Sequence, residues 1–459
     1  MSADEAEGHG TLTEQGPQPP WDADFLLTGA SRLVTMAPPG SVSGATGSLG
    51  VIERGALAAR DGRIVWVGPE RELASHVRLD AVPESARMDA GNHAVLPGFV
   101  DSHTHFVFAG SRAGEFQLRH AGVSYEEVAL RGGGIVNTVR ATRAGSREEL
   151  LQLGRARLWS FLAHGTTTVE GKTGYGLDLA TEERCLDVMR ELGREPGSPH
   201  IAPTFLGAHT IPPEFRGGPE QRAEYVRLVR EVMLPRFVSL ARFCDVFCEA
   251  TAFTREETRS ILERAKALGY ALKVHANQLG PSGGARIAAE LGAVSADHLD
   301  FASDEELDLL REAGVVATLL PGCSFSLSIA YPSARRFYEH GLRVALATDF
   351  NPGTCYCENM QMMIALAVSA MGMSLEEALR AATLGGAEAL GMQREVGSLE
   401  PGKSCDLIVM TTASENDLAY HFGVNLVART LVAGDLQTGR AYDESEVPPS
   451  RYGQGNREG

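Results

Sequence analysis

Apolar positions in the first hundred residues come in short runs that alternate with polar ones. "DFLLTGASRLVTM" (24–36) and "GALAARDGRIVWVG" (55–68) have the texture of strands. Asp61-Gly62, set between two such runs, is a strong β-hairpin signal. The same texture returns near residue 396 in "VGSLEPGKSCDLIVM" and "VARTLVAGDL". Residues 21–95 and 394–440 therefore predict one small β-sandwich domain formed by N- and C-terminal segments. "EPGK" within the second segment reads as a tight turn, because no GxxxxGK[ST] pattern accompanies it.

Between these segments, over residues 96–393, short apolar runs are separated by helical stretches such as "REELLQLGRARLWSFLAH" and "REETRSILERAKALG". In order the runs are "AVLPGFVDSHTH", "GTTTVEGKTGYG", "IAPTFLGAHT", "CDVFCEA", "ALKVHANQ", "AVSADHLD", "GVVATLLPG" and "LRVALATDFNPG". Strand–helix alternation repeated eight times predicts an α/β fold, a (β/α)8 barrel of TIM type whose strands are buried on both faces. A doubly wound open sheet fits less well, since no Gly-rich dinucleotide fingerprint follows the first strand.

Composition narrows the classes. The 459 residues are 43% hydrophobic and 22% charged, ordinary for a globular protein, and the formal net charge of −17 argues against a nucleic-acid partner. No uninterrupted apolar run approaches a membrane span, so no membrane partner is expected. Residues 1–20 are polar and lack the apolar core of a secretory signal; they read as a disordered arm, and 441–459 as a loose tail. Seven cysteines, scattered and odd in number, suit a reducing cytoplasm, with Cys355 and Cys357 as free thiols in a loop.

Candidate chemistry gathers at the strand ends. His103 and His105 fall on one side of an extended segment, about 6–7 Å apart along the backbone, and so could converge on one ion. Barrel active sites form at the C-terminal ends of the strands. Those ends supply His103 and His105, then Glu170, Lys172 and Tyr175, then His209, Glu249, His275, His298 and Asp349. Five of the 13 histidines stand there. Three neutral imidazoles and a carboxylate suit one divalent ion, Zn2+ or Fe2+, with a position open for water. The expected ligands are His103, His105, His275 and Asp349, with Asp349 also placed to act as general base.

The motifs "HTHFVFAGSRAGEF", "GKTGYGL", "FLGAH", "HANQL", "SADHL" and "TDFNPGT", in this order, closely resemble the imidazolonepropionase family of the amidohydrolase superfamily. The resemblance runs from about residue 21 to 440. It implies hydrolysis of the cyclic amide of 4-imidazolone-5-propanoate to N-formimino-L-glutamate in histidine breakdown. Such a small-molecule substrate with a carboxylate tail needs activated water, a polarised carbonyl, a proton donor and a cationic clamp. His298 is expected to orient the water or stabilise the oxyanion, His209 to face the substrate ring, and Arg112 to hold the carboxylate bidentately. Tyr175, between Gly174 and Gly176, would bring its hydroxyl over the substrate, and the resemblance adds Asn351, Gly353 and Thr354 as anchors.

Gln278 stands where related deaminases carry a proton-shuttling glutamate. An amide cannot exchange a proton at neutral pH, so Gln278 is expected to read the ring edge instead. Deamination of an aminated heterocycle is thereby the weaker alternative. A metal-free barrel acting as an assembly protein is the alternative of another class, disfavoured because all four ligands are retained. Lys172 lies on strand 2, whereas binuclear relatives carry their bridging lysine on strand 4, so one ion is expected and Lys172 should pair with Glu170 or Glu249. A homodimer is the default assembly.

Overall fold

A computed structural model describes residues 20–121 and 133–438; the expected tail, and all but the last residue of the expected arm, lie outside the described residues. The N-terminal part contributes strands β1 (Phe25–Thr28), β2 (Arg32–Val34), β3 (Val51–Glu53), β4 (Gly55–Arg60), β5 (Arg63–Pro69), β6 (Arg87–Asp89) and β7 (Val95–Pro97). The middle supplies β8 (Phe99–Asp101), β9 (Thr166–Lys172), β10 (His200–Ala208) and β11 (Phe243–Cys248). It continues with β12 (Ala271–Ala276), β13 (Ser295–His298), β14 (Val316–Leu319) and β15 (Val344–Leu346). The chain then adds β16 (Leu407–Met410), β17 (Val427–Val432) and β18 (Asp435–Thr438).

β8 to β15 form one eight-stranded sheet in sequence order, each neighbouring pair parallel. All eight apolar runs seen in the sequence supply a strand of it. The intervening helices cover the outside, and several are capped by their own side chains. Helix Arg255–Leu268, for example, begins with a Thr254/Glu257 capping box and ends at left-handed Gly269.

The sheet closes at the rim. Beyond the ends of β15 and β8, Asp349 N–H donates to the His103 carbonyl (3.1 Å) and His105 N–H to that of Phe350 (2.8 Å). The fully buried Asp101 carboxylate, at the end of β8, accepts from Thr348 N–H (3.1 Å) and Thr348 Oγ1 (2.6 Å). Burial pushes Asp101 up to about 7, against the pull of these two bonds. Barrel closure and the placement of the two histidines thus share one seam.

Two further sheets stand beside the barrel. One is four-stranded, in the order β5-β4-β1-β6; the other is six-stranded, in the order β18-β17-β16-β7-β2-β3, and joins strands from both chain ends. Between β4 and β5 both Asp61 and Gly62 have positive φ, as a two-residue type I′ turn requires. The run "AVLPGFVDSHTH" divides in two rather than forming one strand. β7 pairs with β16 in the six-stranded sheet, and after Pro97-Gly98 the chain enters the barrel as β8. Only glycine fits this crossing, because a side-chain carbon at Gly98 would fall 2.2 Å from Thr167 Oγ1.

Thr348→Val keeps the shape of the side chain but removes one donor from the buried Asp101 carboxylate. Losing a bond to a buried charge costs about 1–3 kcal/mol, to be read as a lower denaturant midpoint with unchanged m-value.

Candidate active site

The seam brings His103, His105 and Asp349 to one point, where His275 of β12 and His298 of β13 join them. His103 Nε2 lies 3.4 Å from Asp349 Oδ1, and His105 Nε2 lies 4.0 Å from the same oxygen. Donor atoms of His103, His105 and His275 fall within 4.8 Å of one another, as do those of His103, His298 and Asp349. The His103 and His275 rings are 4.4 Å apart, and His298 stands 5.4 Å from each. Asp349 and His298 both occupy the left-handed backbone region, with φ of 54° and 78°. Non-glycine residues adopt that region at a cost, which the surrounding hydrogen bonds must offset.

The electrostatics favour a cation here. Burial holds His103, His105 and His298 well below the usual imidazole range, so each is neutral with a free lone pair. The same burial pushes Asp349 up to about 7, against His275 and the hydrogen bonds of Thr354 and Asn351. His103 Nε2 is buried without a hydrogen-bond partner among the described residues. An orphaned imidazole nitrogen facing a carboxylate is the donor chemistry of a zinc or iron(II) site, and these residues fit such an ion.

Beneath the histidines lies a layer of charge of which the strand-end reading named only Glu170 and Lys172. His103 Nδ1 contacts Asp297 Oδ2 at 2.7 Å, and His275 Nδ1 lies 2.9 Å from Asp245 Oδ2. Both carboxylates meet Lys172, whose Nζ is 2.6 Å from Asp245, 3.0 Å from Glu170 and 3.4 Å from Asp297. Lys273 Nζ donates to Glu170 Oε2 (2.8 Å) and to the Ser102 carbonyl (2.7 Å). All five side chains are fully buried. Burial alone would lower Lys172, but Asp245, Glu170 and Asp297 outweigh it and hold the ammonium above its ordinary value. Lys172 therefore pairs with Glu170 as expected, but not with Glu249. Glu249 Oε1 instead accepts from the backbone N–H groups of Gln278 (2.8 Å) and Leu279 (3.0 Å). The missed signal was a charged residue in the middle of an apolar strand, as in "CDVFC" and "ALKVHA".

Above the histidines opens a cavity of about 820 Å³, within the size range of small-molecule sites. Its walls include Arg112, Tyr175, His209, Gln278, Asn351, Gly353 and Thr354. Arg112 is held by Glu115, which takes its Nε at 2.8 Å and also accepts from Gly134 N–H at 3.1 Å. Tyr175 follows Gly174, whose φ is 102° and where a side-chain carbon would fall 2.7 Å from the Leu206 carbonyl oxygen. The buried Glu182 carboxylate gathers the N–H groups of Gly174, Gly176 and Leu177 and so fixes this loop. His209 stacks on His105 at 5.2 Å and gives its Nδ1 proton to the Gly174 carbonyl (3.1 Å), leaving Nε2 as an acceptor. Burial takes His209 down to about 3.

Two placements refine the sequence reading. The Asn351 side chain donates to the Asp349 carbonyl (2.6 Å) and to Thr354 Oγ1 (2.8 Å). Its oxygen accepts from Gly353 and Thr354 N–H at 2.7 and 2.8 Å, so the amide is committed to shaping its own loop. Arg157, on helix Arg147–Ala163, was not singled out in the sequence. Its guanidinium lies 3.6 Å over the Phe108 ring and donates to the Phe106 and Phe108 carbonyls at 2.8 Å. It thereby braces the segment just after His105.

Known proteins resemble this chain in sequence and in fold. The amidohydrolase family matches residues 94–436. The imidazolonepropionase of Symbiobacterium thermophilum is 51% identical, covering 90% of this chain and 97% of its own. That of Parabacteroides distasonis is 45% identical, covering 90% of this chain and 99% of its own. Among solved structures, a zinc-bound adenosine deaminase from Xanthomonas campestris superposes with a TM-score of 0.66 at 21% identity, covering 91% of this chain and 93% of that one. A zinc complex of an atrazine chlorohydrolase from Arthrobacter aurescens TC1 gives 0.63 at 17% identity, covering 90% and 94%. At such identities the structural likeness speaks for the fold alone. Sequence identity of about one half along nearly the whole length goes further, and this chain belongs to the imidazolonepropionase family of the amidohydrolases.

Proposed function

We propose that the chain hydrolyses 4-imidazolone-5-propanoate to N-formimino-L-glutamate, with one zinc or iron(II) ion held by His103, His105, His275 and Asp349. The observation that carries this reading is the pairing of His103 and His105 with one Asp349 oxygen at the floor of the Arg112 cavity. Charge supports a single ion. Two lysines against Glu170, Asp245 and Asp297 leave one negative charge, and Asp349 adds a second when ionised, which a divalent ion would balance. When bound, the ion supplies Lewis acidity, drawing the pKa of water from about 16 toward roughly 7 and polarising a carbonyl.

The chain's own groups do the rest. Asp349 has its Oδ2 held by Thr354 Oγ1 at 3.2 Å, which steadies the carboxylate as it takes a proton from the attacking water. Water oxygen adds to the ring carbonyl carbon, the C–N bond breaks, and the nitrogen leaves with the proton that Asp349 returns. His298, neutral and 5.4 Å from the His103 ring, orients the water. Arg112, fixed by Glu115, pairs with the propionate. Burial keeps the Tyr175 phenol protonated, so it donates a hydrogen bond to the substrate. His209 Nε2 and Gln278 meet the ring edge, while Asn351 presents the Gly353–Thr354 loop. Deamination is the weaker reading, because Gln278 offers an amide where proton delivery to a leaving amine would call for an acid.

Incubating the purified protein with 4-imidazolone-5-propanoate tests the reading directly. Loss of ring absorbance with formation of N-formimino-L-glutamate is expected; ammonia release from an aminated heterocycle without ring opening would replace it with the deaminase. Elemental analysis should find one equivalent of divalent metal per chain. Asp349→Asn should lower kcat by at least about 100-fold even when metal-loaded, since the amide cannot accept the proton. Near-normal turnover in that variant would remove Asp349 as base.

Arg112→Met should raise KM more than it lowers kcat, because the propionate contact is present before and during reaction. Loss of a charge-assisted contact worth roughly 1.5–3 kcal/mol lowers kcat/KM about 10- to 150-fold. The deficit should nearly vanish on an imidazolone with an uncharged tail. Equal losses on both substrates would move the carboxylate clamp elsewhere.

A further inference from the structure

Barrel interiors are ordinarily filled by layers of branched apolar side chains from alternate strands. Here Lys172 on β9, Asp245 on β11 and Asp297 on β13, three alternate strands, make a charged layer instead. Burying such groups is expensive, and an apolar layer of similar volume would hold the barrel at least as well. Stability alone therefore does not account for Lys172.

Its partners do. The oxygen of Asp245 nearest Lys172, Oδ2, is also the one 2.9 Å from His275 Nδ1. The oxygen of Asp297 nearest Lys172, again Oδ2, is the one 2.7 Å from His103 Nδ1. The remaining oxygens are tied separately: Asp245 Oδ1 accepts from His275 N–H (3.1 Å) and Asp297 Oδ1 from Ser295 Oγ (2.7 Å). One ammonium thus bridges the carboxylate hydrogen-bonded to His103 Nδ1 and the carboxylate that lies 2.9 Å from His275 Nδ1 without an aligned hydrogen bond. Lys273 approaches Asp297 only at 3.8 Å and has no contact with Asp245 among the described ion pairs, so it does not duplicate the bridge.

We propose that Lys172 is a positioning residue of the metal centre: by bridging Asp245 and Asp297 it fixes the tautomer and orientation of His275 and His103, presenting both Nε2 lone pairs together. This deepens the proposed function and rests on its assignment of His103 and His275 as ligands. Without the bridge, three carboxylates face one another with Lys273 as their sole lysine partner in the layer, and both imidazoles lose a fixed acceptor. Outer partners of metal-bound histidines typically change metal affinity 10- to 100-fold.

The test uses the full-length holoenzyme of wild type, Lys172→Met and Lys172→Met/Glu170→Gln. The double variant removes one charge of each sign, so the layer keeps its net charge while Asp245 and Asp297 remain. It serves if the single variant does not fold. Metal retention is measured against graded dipicolinate, beside thermal unfolding. Half-loss is expected at roughly 10- to 100-fold lower chelator in the single variant, and still well below wild type in the double. In metal-stripped protein, nitrogen-15 spectra should show His103 and His275 as Nδ1-protonated in wild type and as tautomer mixtures in the variants. A lower unfolding midpoint with unchanged retention and unchanged tautomers would make Lys172 a stabilising residue only and overturn the proposal. Wild-type enzyme that retains no divalent ion would overturn the ligand assignment instead, and the tautomer spectra would still decide for or against Lys172.

Discussion

Burying ionised groups in a barrel is tolerable only if every charge finds a partner, and that requirement organises this molecule. Lys172 and Lys273 face Glu170, Asp245 and Asp297 in the barrel interior, all inaccessible to solvent. A fully paired network in a low-dielectric interior is rigid, whereas one missing member leaves an uncompensated buried charge. The histidines above inherit that rigidity through Asp245 and Asp297. What the network leaves over is a single negative charge beneath the histidines.

Closure of the barrel serves the same point from the other side. The last strand meets the first through Asp101 and Thr348, and through backbone bonds that involve His103, His105, Asp349 and Phe350. Asp349 adopts its left-handed backbone because Thr348, Asn351 and Thr354 hold the chain on both sides of it. Fold stability and the placement of His103, His105 and Asp349 are therefore not separable along this seam. The cavity above is assembled differently, from loops each pinned by one buried or braced group. Glu182 holds the Tyr175 loop, Glu115 holds Arg112, and Arg157 braces the segment after His105.

A chain with a formal charge of −17 is an unpromising receptor for an anion. Arg112 answers that locally. Its guanidinium is largely shielded from solvent and its Nε is tied to Glu115, so under the proposed carboxylate contact its orientation would cost little. The net charge acts over long range and is screened by salt, while a fixed cation at the cavity wall acts at contact distance.

Much of this was legible in the sequence because period and position are local properties. Eight apolar runs between amphipathic stretches gave the barrel strands, Asp61-Gly62 gave the hairpin, and histidines at strand ends pointed to the site before any coordinate was known. Other features had no local signature. Nothing in "AVLPGFVDSHTH" shows that Pro97-Gly98 passes the chain between two sheets, since only the close approach of Thr167 makes glycine necessary there. Lys172 could be placed on its strand and beside Glu170, but its other two partners could not, because Asp245 and Asp297 lie 73 and 125 residues away. Asn351 lines the cavity as expected, but that its amide also closes the turn to Thr354 was not visible in the sequence. The sequence by itself determined which residues lie on which strand and facing which end, since side-chain alternation and helix periodicity are set by the backbone. Only the tertiary structure decided which charges meet inside the barrel, because closure alone brings residues so far apart in the chain within a hydrogen bond of one another.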